Sequence, residues 1–260
     1  MSVQEPTYAF ALVEEYLGIR LGVKLASVQP GQTAVAESPR RLQREHSYGP
    51  LCALWWLWLQ DGRSVLSVPS GAGDAARHVA ASVHKAEELF GEDLAQRLKE
   101  PVNAALRQTG LAEVDRALHH DLLFACNPGL LRRHRQGDCR RLTDESLPPA
   151  EGVSLQTQCC PDGIAYGVIA DGKVASIAFA HRTGIMEGLV AHLGVVTAAP
   201  YRRRGYAKTA VSAVVEHVTS VGGEALYGCD PCNLASIATA RSVGFVPYAT
   251  SLILSAPRPG

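Results

Sequence analysis

Residues 190–197, VAHLGVVT, form an almost wholly apolar run that a basic turn interrupts before a new periodicity begins. From there the apolar and small residues fall at Ala207, Ala210, Val211, Val214, Val215 and Val218, the spacing of a helix that buries one face. The pattern predicts strand, turn, helix. Further on, 225–229 reads as a short strand, Asn233 opens a second helical stretch that stops at Gly244-Phe245, and 246–254 begins a final strand pair. Upstream, the runs 165–170 and 173–180 flank Asp171-Gly172, a two-residue hairpin signal, and 139–142 reads as a first strand. Strands alternating with helices predict an α/β fold, an α+β mixed sheet with helices packed on its faces.

The first half of the chain is patterned differently. Runs 51–59 (LCALWWLWL) and 64–68 lie either side of Asp61-Gly62 and read as another hairpin. Stretches 75–90 and 92–108 read as helices, with Asp74 as N-cap of the first and a break or kink near Pro101 in the second. Residues 118–126 read as a strand followed by the turn Asn127-Pro128-Gly129, and 131–141 (LRRHRQGDCRR) as a basic interdomain linker. Two units are expected: a smaller α+β domain over 1–138 and a second domain over 139–260. Trp55, Trp56 and Trp58 are expected to fill the core of the first or the face between the two.

The basic turn carries the chemistry. Arg202, Arg203, Arg204, Gly205, Tyr206, Ala207 and Lys208 place positive charge around the start of a helix. Its first-turn N–H groups lack intrahelical partners and its dipole favours an anion. Gly205 and Ala207 offer almost no side chain, so a ligand can approach the backbone closely. The turn reads as a pyrophosphate cradle. It is neither a nucleotide P-loop, since no Lys-Ser/Thr follows, nor a dinucleotide fingerprint.

Arg-x-x-Gly-x-Ala after a strand resembles motif A of the GNAT superfamily of acyl-CoA-dependent N-acyltransferases. The order Thr197, Tyr201-Arg202, Gly205-Tyr206-Ala207, Cys232-Asn233, Ser236, Gly244-Phe245 looks especially like the branch containing the zwittermicin-resistance acetyltransferase. The resemblance implies a GNAT-like domain over 139–260, with acetyl-CoA or another acyl-CoA as co-substrate. Backbone groups at Val195, Val196 and Thr197 would hold the pantetheine, where the strand splays from its neighbour. The amides of 203–208 would take the pyrophosphate, and Asn233 and Ser236 would hydrogen-bond the pantetheine, Asn233 also serving as an N-cap. The acceptor implied is a primary amine, most naturally of a small molecule. A protein amine, or a sensor that binds acyl-CoA without turnover, are the competing readings.

The departures from that pattern matter. Relatives carry a Tyr four residues before Gly-Phe to protonate the leaving sulfur, and a Glu on the strand as base; here those positions are Ala240 and Ala191. Glu187 and His192 are the candidate substitute bases, and Tyr206, Tyr227 and Tyr248 the unranked proton donors. His192 lies one position from Ala191 and so should face the other side of the sheet. Two helices normally separate the first two strands of this fold. Here 143–164 is short and punctuated by Pro148, Pro149, Gly152, Pro161 and Gly163, which leaves the acceptor pocket open or walled by the first half.

Composition narrows the remaining classes. The 260 residues are 47% hydrophobic and 19% charged with a formal net charge of zero, an ordinary globular make-up with no general attraction for nucleic acid or anionic membrane. The longest apolar run, 51–59, is too short to span a bilayer, and the first residues, MSVQEPTY, lack a secretory pattern. Seven cysteines then read as reduced thiols of a cytoplasmic protein. Cys229-Asp-Pro-Cys232 has no second C-x-x-C, and Cys159-Cys160 is poorly spaced for a tetrahedral site, so no metal is expected. His119-His120-Asp121 reads as part of a surface or strand end, and Ser70-Gly71-Ala72-Gly73, which faintly resembles a phosphate loop, as a flexible loop.

Overall fold

The computed structural model describes residues 9–43, 51–114, 117–143, 164–181 and 184–257. Pro148, Pro149, Gly152, Cys159, Cys160, Pro161 and Gly163 lie outside those residues, so the reading of the short 143–164 connection is not addressed by the structure. Helix α1 (Ala11–Leu21) is followed by β1 (Thr33–Glu37), the hairpin of β2 (Leu51–Leu59) and β3 (Ser64–Val68), α2 (Gly73–Ala80), α3 (Glu92–Gln108) and β4 (Ala117–Cys126). The second half contributes β5 (Asp138–Arg141), β6 (Ala165–Ala170), β7 (Lys173–Ala180), β8 (Val190–Thr197), α4 (Tyr206–Ser220), β9 (Glu224–Cys229), α5 (Leu234–Val243) and β10 (Val246–Ala256).

The strands among the described residues join one ten-stranded mixed sheet in the order β1-β3-β2-β10-β4-β9-β8-β7-β6-β5. Pairing is antiparallel except for β1 with β3 and β8 with β9. The expected final strand pair is instead the single strand β10, because both its neighbours, β2 and β4, come from the first half. Strand β4 in turn pairs with β9, so a strand from the first 138 residues stands between two strands of the remainder.

Side-chain alternation along the strands sorts the core into two faces. On one, α2 and α3 cover Leu54, Trp56, Leu66 and Leu252, while α4 and α5 cover Phe124, Ala191, Leu193 and Tyr227. On the other, Val13, Leu17 and Leu21 of α1 pack against Trp55, Leu57, Leu123 and Leu226. Trp55 and Trp56 are buried on opposite faces and each indole N–H is satisfied, by Ser251 Oγ at 2.7 Å and Ser64 Oγ at 2.9 Å.

Several local expectations are corrected. The stretch 75–90 is not one helix: α2 stops at Ala80, and Ala86–Phe90 forms a separate 3-10 turn. Ala72, not Asp74, is the N-cap of α2; Asp74 lies in the first turn and pairs with Arg77 at 2.6 Å. Helix α3 runs through Pro101 without a break, with an apolar face packed on the core that outweighs one lost backbone bond. The basic stretch 131–141 is no solvated linker. Arg132 N–H donates to Val243 O at 2.8 Å, His134 N–H to Ser212 Oγ at 3.1 Å and Gln136 N–H to Thr209 Oγ1 at 3.0 Å. Arg133 and Arg135 both pair with Glu216, so the segment is strapped along α4 before it enters β5. Among the described residues no helix is long and apolar enough to cross a membrane.

The start of α1 shows how the halves are joined. Its N-cap, Phe10, has no side chain that accepts a hydrogen bond, and the role passes to Glu224 at the start of β9. The Glu224 carboxylate accepts the Val13 N–H at 2.9 Å and also engages the amides of Leu12 and Ala11. Burial raises the pKa of this carboxyl and the three amides pull it back, leaving it above the ordinary value. Replacing it with Ala strands those amides in a buried setting: Glu224→Ala should lower unfolding free energy by about 1–2 kcal/mol in urea melts. Glu224→Gln, which keeps an accepting oxygen, should recover most of that loss.

Candidate active site

The parallel pairing of β8 with β9 runs only from Val190↔Glu224 to Leu193↔Tyr227. Beyond that level β8 continues to Thr197 paired only with β7, and β9 continues to Cys229 paired only with β4. The strands therefore part, and Val195 and Thr197 present backbone groups toward the gap that no strand satisfies, while Val196, opposite Ile177, turns its backbone groups to β7. Ser176 Oγ steadies this end of β8, bonding Thr197 Oγ1 at 2.8 Å and the Val196 carbonyl at 3.2 Å.

The turn between β8 and α4 is tightly determined. Arg202 Nε donates to the Thr197 carbonyl at 3.3 Å, bending the chain back after the Ala199–Tyr201 turn. Arg203 and Gly205 both take left-handed backbone angles, with φ of 63° and 80°. At Gly205 a Cβ would also overlap the Gln136 side chain, so the glycine answers two constraints at once. The first intrahelical bond of α4 is Thr209 N–H to Gly205 O at 3.2 Å, which leaves the amides of Tyr206, Ala207 and Lys208 ahead of it. No acidic residue lies in this first turn, and among the described residues Arg202, Arg203, Arg204 and Lys208 have no carboxylate partner.

These features meet in one cavity of about 570 Å³. It runs from the parted end of β8 (Val195, Val196, Thr197), past the turn (Tyr201, Arg202, Arg203, Gly205, Tyr206, Ala207, Lys208), to Tyr227 and the α5 side. Asn233 and Ser236 lie there too, and Asn233 Oδ1 caps α5 by accepting the Ser236 N–H at 3.1 Å. The α5 wall is completed by Ala235, Ala238 and Thr239, which the sequence reading did not single out; their small size along one side of α5 was the available signal. Arg204 is the exception among the cradle residues: it does not line the cavity, and its guanidinium lies 5.5 Å from the centre of the Tyr201 ring.

Of the three unranked tyrosines, Tyr227 and Tyr206 line this space, and the Tyr227 hydroxyl is bonded to Ser236 on its α5 side. Tyr227 is buried, stacked edge-on to Phe245 at 5.5 Å, and shares a 2.7 Å hydrogen bond with Ser236 Oγ. Burial raises its pKa, with the Ser236 bond opposing, so it is a protonated donor at neutral pH. Tyr206 lines the cavity near the turn; Tyr248 is buried far off in the α1 core beside Phe10. Ala191 on β8 and Ala240 on α5 are both buried in the core cluster that α4 shares.

The two candidate bases separate. Glu187 is an exposed turn residue whose carboxylate accepts the Gly184 N–H at 2.9 Å, away from the cavity. His192 lies on the α1 face of the sheet, opposite Ala191 and Leu193. Its pKa is held well below the ordinary value by burial first, then by His181 and Arg20. Cys229 is buried and Cys232 exposed, both as free thiols, and burial raises the Cys229 pKa. Among the described residues no group of three or more His, Cys, Asp or Glu comes together to hold a metal ion. In the 70–73 loop the Gly71 N–H is taken by Glu37 at 2.8 Å, an internal carboxylate where a phosphate would have to bind.

Residues 134–245 match the model of the acetyltransferase (GNAT) family, and over that span the chain holds a GNAT acetyltransferase domain. The match covers just under half of the chain. It begins inside the segment strapped to α4 and ends at Phe245, before β10. Among solved structures, an acetyltransferase of the GNAT family from Colwellia psychrerythraea is similar with 15% identity and a TM-score of 0.41, over 59% of this chain and 63% of that one. This chain thus spans less than two thirds of that protein's length. A GCN5-related N-acetyltransferase from Kribbella flavida aligns over 65% of this chain and 78% of its own, with 20% identity and a TM-score of 0.43. A tandem GNAT protein from the clavulanic acid biosynthesis pathway aligns over 97% of this chain and 98% of its own, with 13% identity and a TM-score of 0.45. No curated protein matches the sequence.

The turn makes its own prediction. Gly205→Ala must adopt a left-handed backbone and displace Gln136, and should cost roughly 1–2 kcal/mol in denaturant melts. A neighbouring change on the same turn that meets neither constraint, Arg204→Ala, should leave stability within about 0.5 kcal/mol of the parent.

Proposed function

We propose that this protein transfers an acetyl or similar acyl group from acyl-CoA to a primary amine of a small molecule. The observation that carries the reading is one continuous cavity joining the parted end of β8 to the cationic start of α4. A pantetheine arm is a chain of amides that needs backbone partners, and a pyrophosphate needs amide donors and positive charge. The two needs are met at opposite ends of that cavity. In this reading the backbone groups of Val195 and Thr197 take the pantetheine amides in place of the missing strand, and Val196 lines the cavity between them. Arg202, Arg203 and Lys208, with the amides of the turn, take the pyrophosphate. Asn233 and Ser236 contact the arm from α5, and Tyr227 protonates the departing sulfur. The order of Thr197, Tyr201-Arg202, Cys232-Asn233 and Gly244-Phe245 supports a place near the zwittermicin-resistance branch.

The amine enters from the α1 face, so the first half contributes a wall of the acceptor site through α1 and a strand through β4. Catalysis then rests on holding amine and thioester in contact, with proton transfer supplied from positions other than Ala191 and Ala240.

One observation favours a second reading, a binder without turnover: the two positions where relatives carry a base and an acid are buried alanines, 1% and 0% exposed. Two measurements in sequence separate the readings. Thermal denaturation with acetyl-CoA, CoA or ATP at about 100 times a micromolar Kd should show stabilisation of about 2.7 kcal/mol by both CoA forms and none by ATP. For a chain of this size that is an upward Tm shift of roughly 5–10 °C. Gly205→Asp, which sets a carboxylate in the cradle, should abolish the shift. Thiol release with a panel of small primary amines then marks an enzyme; stabilisation by CoA with no thiol release from any amine marks the binder. No shift with either CoA form overturns the proposal.

A further inference from the structure

We propose that Cys229 and Cys232 form a thiol–disulfide exchange site that takes low-molecular-weight disulfides and, once oxidised, reshapes the α5 wall of the cavity. The exchange chemistry stands by itself; its effect on CoA binding rests on the acyl-CoA reading. Among the described residues every cysteine is a free thiol, with Cys52 on β2, Cys126 on β4 and Cys139 on β5. Cys229 and Cys232 stand apart from these, three residues from each other across the turn that joins β9 to α5. The Asn233 N–H closes that turn on the Asp230 carbonyl at 2.9 Å, and Asp230 Oδ1 holds the Cys232 N–H at 2.6 Å. Two residues between cysteines is the spacing at which two thiols of one turn can be bridged.

Each cysteine is tied to a residue that lines the cavity. Cys229 is buried in the core cluster that α4 and α5 share, and the Ser236 hydroxyl engages its sulfur. The same hydroxyl shares the 2.7 Å bond with Tyr227, so one serine joins the thiol to the cavity wall. Cys232 directly precedes Asn233, whose Oδ1 caps α5 by accepting the Ser236 N–H at 3.1 Å. Strand β9 is fixed at Cys229 by its pairing with Leu122 of β4. Cys232 is exposed and lies in the turn, so it is the half of the pair that must move.

The two sulfurs differ as an exchange site requires. Burial raises the Cys229 pKa, the Ser236 bond opposing and the charges of Asp121 and Asp230 adding to the rise, so this thiol waits protonated. Cys232 meets solvent and reacts first. Its thiolate attacks one sulfur of an external disulfide, forming a mixed disulfide; the other sulfur leaves and takes up the proton that Cys232 lost. The Cys229 sulfur then attacks the Cys232 sulfur, and the second external thiolate leaves with the Cys229 proton. Two protein thiols are oxidised by two electrons, and one external disulfide is reduced to two thiols. The new S–S bond draws the Cys232 side chain inward and turns the Cys229 sulfur from Ser236 toward Cys232. The cap residue next to Cys232 and the serine next to Cys229 are displaced together, and both face the cavity.

The test equilibrates the folded full chain with oxidised glutathione, blocks remaining thiols with iodoacetamide in urea, and digests with trypsin. Cleavage after Lys208 and Arg241 releases 209–241, a peptide whose only cysteines are Cys229 and Cys232. From the parent this peptide should be unalkylated and two hydrogens lighter than the dithiol, and dithiothreitol should reverse the change. Cys229→Ser should instead keep one glutathione, on Cys232. Cys232→Ser should remain alkylated at Cys229 and bind CoA as the reduced parent does. Oxidation of the parent should speed hydrogen exchange at the Ser236 N–H, and raise the Kd for CoA, by roughly tenfold each, the size of one weakened helix cap. A parent peptide that keeps both thiols, or that stops at the glutathione adduct, overturns the exchange site. A protein that binds CoA equally well oxidised and reduced overturns the link to the cavity. If CoA binds neither form, the acyl-CoA reading fails instead, and Ser236 exchange alone decides whether the disulfide reshapes α5.

Discussion

The parting of two parallel strands after Leu193 and Tyr227 is the constraint on which the rest of this site depends. Buried backbone N–H and C=O groups are nearly always paired, so two adjacent strands that stop pairing while both continue are an unfavourable arrangement unless something else takes the freed groups. They stay apart here because each is fixed on its outer edge. Strand β8 remains paired to β7 as far as Thr197, and β9 to β4 as far as Cys229. Helix α4 spans the gap and packs on both strands through Val211, Val214, Val215 and Val218. The gap is therefore a rigid slot whose walls cannot close on each other to satisfy their own hydrogen bonds.

That argument gives the first half of the chain a structural part in a site whose family motif lies wholly in the second. The far wall of the slot, β9, is held by β4, and β4 is held by β10, so the register of the gap passes through a strand from residues 117–126. The carboxylate at the start of β9 that caps α1 adds a second tie on the opposite face. Arg20 on that same helix is one of the charges acting on His192. Changes in α1 or β4 thus reach the slot through backbone pairing and charge, without touching the cavity.

Sequence pattern made the second half legible because its signals were local. Strand, glycine turn and helix follow one another between Val190 and Ser220, and the cradle residues are neighbours in sequence. Asp171-Gly172 marked its hairpin for the same reason: both residues take left-handed angles, as that turn requires. What could not be read was long-range. Nothing in the composition of 118–126 says that it will pair with β9 and β10, about 100 residues away, since an alternating strand pattern names no partner. The failed reading of 131–141 has a related cause. A run of arginines looks solvated until Glu216, Ser212 and Thr209 of a distant helix are brought beside it.

The buried alanines at 191 and 240 bear directly on where proton transfer is housed. Ala191 on β8 and Ala240 on α5 are both fully packed in the core under the helices, and neither side chain carries a group that can exchange a proton. If the site turns over, its acid and base must come from side chains with access to the gap, and the two faces offer different ones. On the cavity face stands Tyr227, a hydroxyl kept protonated by burial and bonded to Ser236. On the α1 face stands His192, a ring kept neutral by burial and by the charges of His181 and Arg20. Nucleophile and leaving group occupy different sides of a thioester carbon, so a donor for sulfur and an acceptor for the amine proton are best placed on different sides as well. A slot between two strands divides those sides by construction.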